Sequence, residues 1–326
     1  MNREATAPHA LHDFAPEREA FLAEALAGLR RSPRELPCKY LYDARGSALF
    51  DRICELEEYY PTRTELDIMD RHADAMAAAL GAHCLLVEYG SGSSAKTHVL
   101  LDHLEDPAGC VLVDISREHL LRAAEDLAKA YPRVPIIPVC ADFTRPFVVP
   151  DPPRPARRRA VYFPGSTIGN FAPERAVELL GGMREVAQAG GGLLIGVDLE
   201  KDAARLERAY DDAEGVTAAF NKNVLARMNR ELGSDFDLAA FEHRALWNGE
   251  EGRIEMHLVS DREQTVRLGG HELRFAAGES ICTEHSHKYT REGFAALAVA
   301  AGLRVESIWT DPQELFSVQW LVVADA

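Results

Sequence analysis

Apolar residues between positions 84 and 199 are grouped into short runs that alternate with longer amphipathic segments. Glycine, proline or polar residues bound each run, and the apolar residues of the intervening segments recur at helical spacing. Short buried strands that alternate with helices of about ten to fifteen residues are typical of a parallel sheet covered by helices on both faces. The predicted strands are, in chain order, CLLVEYG, CVLVDIS, VPIIPVCADF, AVYFPGS and GGLLIGVDL.

The pattern changes after Leu199. Residues 200–245 look helical, and the alternating, strand-like segments RIEMHLVS, QTVRLGG and HELRFAAGESI follow them. From Thr290 the sheet pattern resumes with a helix, the strand LRVESIWTD and the last strand FSVQWLVVA. Only DPQEL joins these two strands. Since a helical crossover needs more residues, the last strand is predicted to run antiparallel to its neighbour.

Two helices are predicted at the start of the chain, over residues 15–31 and 47–60, and the second is predicted to end before Pro61. We therefore expect an α/β fold in which a Rossmann-like domain with a seven-stranded sheet is interrupted in sequence by a second, α+β domain. The first domain is predicted to comprise residues 62–199 and 288–326, and the second to comprise residues 1–61 and 200–287.

Charge narrows the range of partners. The chain of 326 residues is 47% apolar and 27% charged, and its formal net charge is −16. Because such a surface repels phosphate backbones, sequence-independent binding to nucleic acid is not expected. The basic run 157–159 lies in proline-rich surroundings and is interpreted as a solvated loop.

The cysteines and the absence of long apolar runs indicate the compartment. Six cysteines are scattered without a C-x-x-C pair, which fits a reducing cytosol better than a disulfide framework or a zinc site. No signal-peptide pattern opens the sequence, and no uncharged run approaches the roughly 20 residues that span a bilayer. We expect a soluble, cytoplasmic protein with no membrane partner and no bound metal.

A glycine-rich turn follows the first predicted sheet strand, over residues 88–96 (EYGSGSSAK). Gly90 and Gly92 allow the backbone to turn sharply and to approach a ligand without a Cβ in the way. The following strand ends in Asp114, whose carboxylate can accept hydrogen bonds from both hydroxyls of a ribose. This arrangement predicts a nucleoside-containing cofactor, although the turn alone also fits the nicotinamide folds.

Two further features favour S-adenosylmethionine over a nicotinamide. The third strand ends in Asp142 and Phe143, an acid and an aromatic ring suited to the amino group and the ring face of an adenine. The antiparallel last strand is the hallmark of the class I methyltransferase sheet. Methyl transfer also asks little of the protein, because the sulfonium is already an activated electrophile and the enzyme mainly holds a nucleophile in line with it.

Several longer stretches resemble the histidine Nα-methyltransferases of ergothioneine biosynthesis. These stretches are KYLYDARGSALFDRICELEEYYPTRTE, EYGSGSSAKT, FPGSTIGNF, VDLEKD, RAYDDAEGVTAAFNKNVLARMNREL, RIEMHL and TEHSHKY. They run in the same order as in that family, from about Lys39 to the C-terminus. The resemblance implies an enzyme that uses S-adenosylmethionine to convert L-histidine, through its mono- and dimethyl forms, into the trimethyl betaine hercynine. It also suggests a monomer.

The resemblance implies a role for individual residues. Those that would surround the cofactor are Gly90, Ser91, Gly92, Lys96, Asp114, Asp142 and Phe143. Asn170 and Tyr210 would bind the α-carboxylate of the substrate, and Tyr42 and the carbonyl of Gly165 would lie near its α-amine, as the catalytic positions. Tyr59, Glu284 and Ser286 would recognise the imidazole, and Met256 would form a wall of the pocket. Whether Tyr59 or its neighbour Tyr60 faces the pocket stays open.

The chemistry of these residues agrees with an amino-acid acceptor. An amide and a phenol can bind a carboxylate without a competing buried charge, and Glu284 with Ser286 can serve the two nitrogens of an imidazole. The α-amine has a reference pKa near 8, so no strongly perturbed general base is required.

Residue type alone leaves other interpretations open. The tyrosines could be half-buried interface aromatics, and Glu284 could be a surface acid at the end of a strand. His285 and His287 form an H-x-H pair, but no further acid or histidine of matching spacing supports a metal site. Alternative functions are the same fold acting on tryptophan or tyrosine, a non-catalytic S-adenosylmethionine-binding protein, and an NAD-dependent oxidoreductase, which the antiparallel last strand and Asp142 disfavour.

Overall fold

The structure is a computed structural model that describes residues 10–14, 18–92 and 94–324. The α-helices are α1 (Arg18–Leu29), α2 (Ala44–Glu55), α3 (Tyr60–Leu80), α4 (Ala95–His103), α5 (Arg117–Ala130), α6 (Pro173–Ala187), α7 (Ala203–Tyr210), α8 (Val216–Leu232) and α9 (Arg291–Ala300). Short 3-10 helices lie at Cys38–Leu41, Thr167–Asn170 and Leu238–Ala240.

The strands are β1 (His12–Phe14), β2 (Arg34–Glu35), β3 (Cys84–Tyr89), β4 (Gly109–Asp114), β5 (Ile136–Ala141), β6 (Arg158–Phe163), β7 (Gly192–Asp198), β8 (Phe241–Asn248), β9 (Arg253–Ser260), β10 (Gln264–Leu268), β11 (His271–Phe275), β12 (Ser280–His287), β13 (Leu303–Thr310) and β14 (Phe316–Val323). They belong to two compact units. Unit 1 is formed by the described residues of Met1–Ala15, Pro61–Glu200 and Lys288–Ala326, and unit 2 by those of Pro16–Tyr60 and Lys201–His287.

Unit 1 contains a sheet with the strand order β1-β5-β4-β3-β6-β7-β14-β13. Strands β1 and β3 to β7 pair in parallel, whereas β14 lies between β7 and β13 and is antiparallel to both. The predicted antiparallel last strand is therefore confirmed, and with it the class I methyltransferase type of sheet. The strand order reverses between β3 and β6, and ligands of open α/β sheets bind at the carboxyl ends of strands at such a point.

The core of unit 1 lies on both faces of this sheet, because successive strand residues point to opposite sides. In β3, Leu85 and Val87 pack on the face covered by α6 and α9, whereas Leu86 packs on the face covered by α3, α4 and α5. Each of these side chains is fully buried. Burial of one such side chain stabilises the fold by about 1.5–3 kcal/mol, so the two layers hold the strand ends in fixed positions.

Strand β1 differs from the expectation. Residues 1–61 were predicted to belong with the second domain, but His12–Phe14 pair in parallel with Val139–Ala141 of β5 and extend the predicted seven strands to eight. A three-residue strand carries too few positions for an alternation to be recognised, so only the pairing reveals it. The N-terminal part of the predicted helix 15–31 lies outside the described residues, and α1 begins at Arg18.

Unit 2 combines helices with a small sheet of order β2-β12-β9-β8 and the hairpin β10-β11. Residues 241–245 lie in strand β8, not in the helix predicted for 200–245. Helix α8 ends at Gly233, whose φ of 69° is the left-handed conformation that closes helices. In β8 the buried positions alternate, but one of them is His243, a polar residue that conceals the period of two.

Pro61 also lies differently from the prediction. It occupies the first turn of α3 and does not follow the end of a helix, since α2 ends earlier, at Glu55. Proline suits the first turn because the N–H that it lacks would have no partner inside the helix there. Over the described residues, each helix is too short or too polar to cross a bilayer.

Candidate active site

The glycine-rich turn of unit 1 connects β3 to α4. Gly90 and Gly92 have φ angles of 76° and 45°, which a residue with a Cβ adopts only at a cost. The turn is held by the N–H of Gly90, which donates to Val113 O at 2.8 Å, and by the N–H of Ser94, which donates to Ser91 O at 3.0 Å. The backbone at Gly90 and Ser94 is thus fixed by hydrogen bonds within unit 1.

The space beside this turn suits a ligand. Within the described part of the chain, a Cβ built on Gly90 would have no non-neighbouring atom within 4 Å, and one built on Gly92 would meet only Gly90 O at 4.0 Å. The Ser91 hydroxyl is buried and has no hydrogen-bond partner among the described residues. A buried polar group without a partner is unusual in a folded protein, so this hydroxyl fits a hydrogen bond to a bound molecule.

Asp114 ends β4 directly beside the turn, since β3 and β4 pair with Tyr89 opposite Val113. Its carboxylate accepts the N–H of Ser116 at 2.8 Å and also faces the N–H of Gly92. Burial raises the pKa of this carboxyl above its usual value, while the two N–H groups act in the opposite direction. A carboxylate with remaining lone pairs at this position can accept hydrogen bonds from a ribose diol.

Asp142 and Phe143 follow β5 at the same sheet edge. The Asp142 carboxylate accepts the N–H of Thr144 at 3.0 Å, which fixes its side chain. The Phe143 ring meets the rings of Tyr89 and Phe163, each with centroids 5.7 Å apart and edge to face. The donor set at this edge therefore comprises open glycine surfaces, a buried hydroxyl, two carboxylates and an aromatic ring, and it fits the ribose and adenine of S-adenosylmethionine.

Lys96 and the loop after β6 lie together in unit 1. The Lys96 ammonium forms an ion pair with the fully buried carboxylate of Glu65, which also accepts the N–H of Gly165. Gly165 and Ser166 have φ angles of 71° and 55°, and a 3-10 helix then leads to Asn170. The loop predicted to lie near the acceptor amine is therefore tied to a residue predicted to bind the cofactor.

The tyrosines predicted to bind the substrate lie in an aromatic cluster of unit 2. The ring of Tyr42 contacts Phe50 and Phe220, with centroids 5.5 and 5.3 Å apart. Phe50 also contacts Tyr59 at 6.0 Å, and Tyr59 contacts Tyr210 at 6.1 Å. The structure thus brings together three tyrosines that are far apart in the sequence.

Glu284, Ser286 and Met256 complete this cluster from the sheet of unit 2. Met256 of β9 is opposite Glu284 of β12, and the Ser286 hydroxyl lies 2.7 Å from the Tyr210 hydroxyl. A bulge between Cys282 and Glu284 shifts the register, and such bulges redirect side chains near functional sites. Glu284 lies in the middle of β12 and is buried, so it is not an acid at the surface.

The phenols of Tyr42 and Tyr59 are neutral at physiological pH. Burial raises the pKa of Tyr42 well above 10, and the nearby Glu284 carboxylate raises it further. Burial, then the neighbouring Tyr210, raises the pKa of Tyr59 in the same way, and Glu284 contributes again. The site consequently presents one carboxylate among uncharged hydrogen-bonding groups.

Tyr59 and Tyr60 face different partners. Tyr59 is part of the aromatic cluster, whereas the Tyr60 hydroxyl accepts a hydrogen bond from Lys201 Nζ at 2.7 Å. The Lys201 ammonium also lies 4.5 Å from the centre of the Tyr60 ring. These contacts favour Tyr59 as the pocket residue.

Asp43 is a supporting residue that was not predicted. Its carboxylate caps α2 by accepting the N–H of Gly46 at 2.7 Å, and it also accepts Asn223 Nδ2 at 2.7 Å. Burial alone would raise the pKa of Asp43, but these donors and the Arg230 guanidinium hold it below its usual value. The residue fixes the backbone directly after Tyr42. An aspartate before a helical run is a capping signal that could have identified it.

His243 supports the backbone of Tyr210. Its Nε2 donates to Tyr210 O at 2.9 Å, and its Nδ1 lies 2.9 Å from Asn221 Nδ2, so the neutral ring accepts there. Burial lowers the pKa of His243, which favours this neutral form. Asn221 Oδ1 in turn accepts the Thr283 hydroxyl beside Glu284. No sequence motif indicated this network, because its members are separated by long stretches of chain.

The two histidines of the H-x-H pair lie side by side at the end of β12. The His285 and His287 rings meet edge to face at 6.3 Å, and in residues 10–14, 18–92 and 94–324 no group of three or more His, Cys, Asp or Glu side chains is placed to hold a metal ion.

Comparison with known proteins gives the same family over nearly the whole chain. Residues 21–323 match the family model described as "Histidine-specific methyltransferase, SAM-dependent". The chain is 46% identical over 310 residues to the histidine N-alpha-methyltransferase of Mycolicibacterium smegmatis. This alignment covers 93% of this chain and 95% of that protein.

Two fungal proteins are more distant relatives. The ergothioneine biosynthesis protein 1 of Neurospora crassa is 32% identical over 85% of this chain, a match that covers 32% of that longer protein. A 4-dimethylallyltryptophan N-methyltransferase of Aspergillus fumigatus is 25% identical over 89% of both chains. The extent of the family match and the 46% identity show that the chain belongs to the family of S-adenosylmethionine-dependent, histidine-specific methyltransferases.

Proposed function

We propose that this protein transfers three methyl groups in succession from S-adenosylmethionine to the α-amine of L-histidine and so forms hercynine for ergothioneine biosynthesis. The family match and the name of the Mycolicibacterium smegmatis relative support histidine as the acceptor. The observation that carries the proposal is the pair formed by Glu284 and Ser286. The carboxylate is buried in an aromatic cluster, and the hydroxyl is held by Tyr210.

The residues of unit 1 would hold the methyl donor. Asp114 accepts hydrogen bonds from the ribose, Asp142 and Phe143 receive the adenine, and the Ser91 hydroxyl and the glycine surfaces contact the remaining part. The bound sulfonium supplies an activated methyl group, so the chain itself needs neither a covalent nucleophile nor a metal ion for the transfer.

The acceptor amine must be neutral before it attacks. Its reference pKa is about 8, so loss of the proton to water costs little near neutral pH. The raised pKa of Tyr42 makes a phenolate base unfavourable. Tyr42 therefore orients the amine through its hydroxyl oxygen, and the Gly165 carbonyl provides a second acceptor. Because these contacts are weak, the amine can lose its N–H groups over three cycles and still be bound.

The imidazole is recognised by its two nitrogens. Glu284 accepts the N–H of one nitrogen, and the Ser286 hydroxyl, held by Tyr210, donates to or accepts from the other. An aliphatic side chain would leave both groups buried without partners, which disfavours binding. An indole has a single N–H and no ring lone pair in its plane, so it would leave Ser286 unsatisfied. Asn170 and Tyr210 are proposed to bind the α-carboxylate.

One assay tests this proposal. The purified protein is incubated with S-adenosylmethionine and each of the twenty amino acids, and product masses are followed with time. Histidine is expected to gain one, two and then three methyl groups. The absence of methylated histidine, or faster methylation of tryptophan or tyrosine, would contradict the proposal.

We further propose that the protein acts as a cytoplasmic monomer without nucleic-acid or membrane partners. The formal net charge of −16 disfavours binding to phosphate backbones and to anionic lipid surfaces. Light scattering coupled to size-exclusion chromatography tests the oligomeric state, for which a mass near 36.0 kDa is expected.

A further inference from the structure

A buried ion pair connects two parts of unit 1 that the proposed function uses. Glu65 of α3 is fully buried, and its carboxylate accepts the Gly165 N–H, with 2.9 Å to Oε2 and 3.2 Å to Oε1, while it pairs with Lys96 Nζ. A buried carboxylate without partners would be strongly destabilising at such a position. The Lys96 ammonium and the Gly165 N–H are the partners that stabilise this buried carboxylate.

The sheet makes room for this carboxylate. A Cβ built on Gly196 of β7 would collide with Glu65 Oε1. Gly196 lies inside a regular strand and its φ angle is not positive, so its backbone conformation does not require glycine. A glycine in a strand interior weakens the strand. The space for Glu65 accounts for its presence.

Hydrogen bonds on both sides of Gly165 fix the backbone there. Glu65 holds the N–H on one side of this residue, and on the other side the Ser166 hydroxyl accepts the Asp198 N–H at 2.9 Å. The carbonyl of Gly165 lies between these two hydrogen-bonded positions. Its direction is therefore set before any ligand binds, although a glycine by itself has wide conformational freedom.

We infer that Glu65 is a positioning residue that aligns the Gly165 carbonyl with the acceptor amine and, through the same carboxylate, holds Lys96 at the donor site. This inference rests on the proposed function. A ligand-bound geometry that is off by about 1 Å can reduce a rate about 100-fold. Glu65 contacts neither reacting group directly, so its effect passes through the loop and the lysine.

Two variants test this role in different ways. Glu65→Gln removes the charge that holds Lys96 but keeps an oxygen near Gly165, and Gly196→Ala displaces the carboxylate without changing any charge. Asp67→Asn is the matched control, because Asp67 lies on the same helix in an exposed ion pair with Arg71. We expect both test variants to lower kcat for histidine about 10- to 100-fold, with KM changed less than about threefold, and the control to behave as wild type.

Amide hydrogen exchange of the segment 163–167 provides a readout that does not depend on turnover. In Gly196→Ala the Gly165 amide is expected to exchange about ten times faster. In Glu65→Gln a smaller increase is expected, because the retained neutral oxygen is a weaker acceptor than the carboxylate. Both are measured under conditions in which the unfolding transition shows that the proteins are folded. If the variants match the wild type both in kcat per folded molecule and in the exchange rate of the Gly165 amide, the inference is overturned. A loss of kcat that disappears once corrected for the unfolded fraction would overturn it as well.

The outcome also separates this inference from the proposed function. If wild-type protein methylates histidine but Glu65→Gln is unchanged in kcat and exchange, only the role of Glu65 is wrong. If wild-type protein does not methylate histidine, the proposed function is wrong. Unaltered exchange in the variants would then show that Glu65 does not fix the Gly165 backbone either.

Discussion

The proposed donor site of unit 1 and the aromatic cluster of unit 2 are built in different ways. In unit 1 the proposed donor contacts come from short segments that follow three neighbouring parallel strands, and backbone N–H groups set the positions of Asp114 and Asp142. In unit 2 the side chains come from separate helices, connections and strands, and they are positioned mainly by packing against one another.

The electrostatic character of the two regions differs as well. The donor region contains several carboxylates beside the Lys96 ammonium. Burial raises the pKa of Glu88 there, the Asp114 and Glu65 carboxylates raise it further, and the Thr97 hydroxyl and Lys96 act in the opposite direction. The cluster in unit 2 surrounds a single carboxylate, Glu284, with phenols whose pKa values are raised by burial. A site for a polar nucleoside can be built from the backbone, whereas selection of an imidazole needs buried polar side chains placed to pair with its nitrogens.

The largest effect is expected from the charge in unit 2. Glu284→Gln should lower kcat/KM for histidine about 1,000-fold, because the amide keeps the size of the side chain but loses the charged acceptor for the imidazole N–H. Affinity for S-adenosylhomocysteine, measured by calorimetry, should change little. The exposed Glu242→Gln in the same sheet is the control. Equal losses in histidine use and in cofactor affinity would contradict the assignment.

The donor region should respond in the opposite way. Asp114→Asn is expected to weaken S-adenosylhomocysteine binding about 10- to 100-fold, since one or two charge-assisted hydrogen bonds to the ribose are lost. At saturating methyl donor, the KM for histidine should change much less. Unchanged affinity in calorimetry would show that Asp114 does not hold the ribose.

A smaller effect is expected from the residue that supports Tyr42. Asp43→Asn loses the ion pair with Arg230 and weakens the cap of α2. We expect a decrease of about 1–3 kcal/mol in the free energy of unfolding, and a decrease of about tenfold in kcat/KM for histidine with intact cofactor binding. Urea unfolding and steady-state rates measure the two. A loss of stability without a change in kcat/KM would restrict Asp43 to a structural role.

The last prediction concerns pH and tests the electrostatics of unit 1. Burial raises the pKa of Glu88 to about 8, against the hydrogen bond from Thr97. The folded state therefore retains a proton that the unfolded chain releases near pH 4.5. The stability that this proton provides is full below that value and is lost as the pH rises through about 8.

Glu88→Gln should remove this contribution. Relative to wild type, its free energy of unfolding is expected to increase by up to about 1.4 kcal/mol per pH unit between these limits. Urea titrations at several pH values measure the difference. A constant difference between the two proteins across the range would show that Glu88 is ionised in the folded state.

Local sequence patterns determined much of unit 1. The apolar runs predicted its central strands because both faces of a parallel sheet are buried, and the short DPQEL link predicted the antiparallel β14. The glycine turn and the acids at the ends of β4 and β5 are contiguous with those strands, so the proposed donor site follows from the same local patterns. Strand β1 could not, since three residues carry no recognisable period.

The cluster in unit 2 could be predicted only through the family resemblance. Tyr42, Tyr59 and Tyr210 have no common spacing, and each one alone is more typical of an interface aromatic. Strand β8 was missed because a buried histidine interrupts its apolar alternation.

The sequence by itself determined the class of fold, the glycine-rich turn and the family of this protein, because these depend on local periodicity and on contiguous motifs. Only the tertiary structure decided that Glu284 is buried beside neutral phenols, that Tyr59 and not Tyr60 joins the cluster, and that Glu65 ties Lys96 to the Gly165 loop. Burial and pKa depend on which distant segments pack together, and long-range packing leaves no local pattern in the chain.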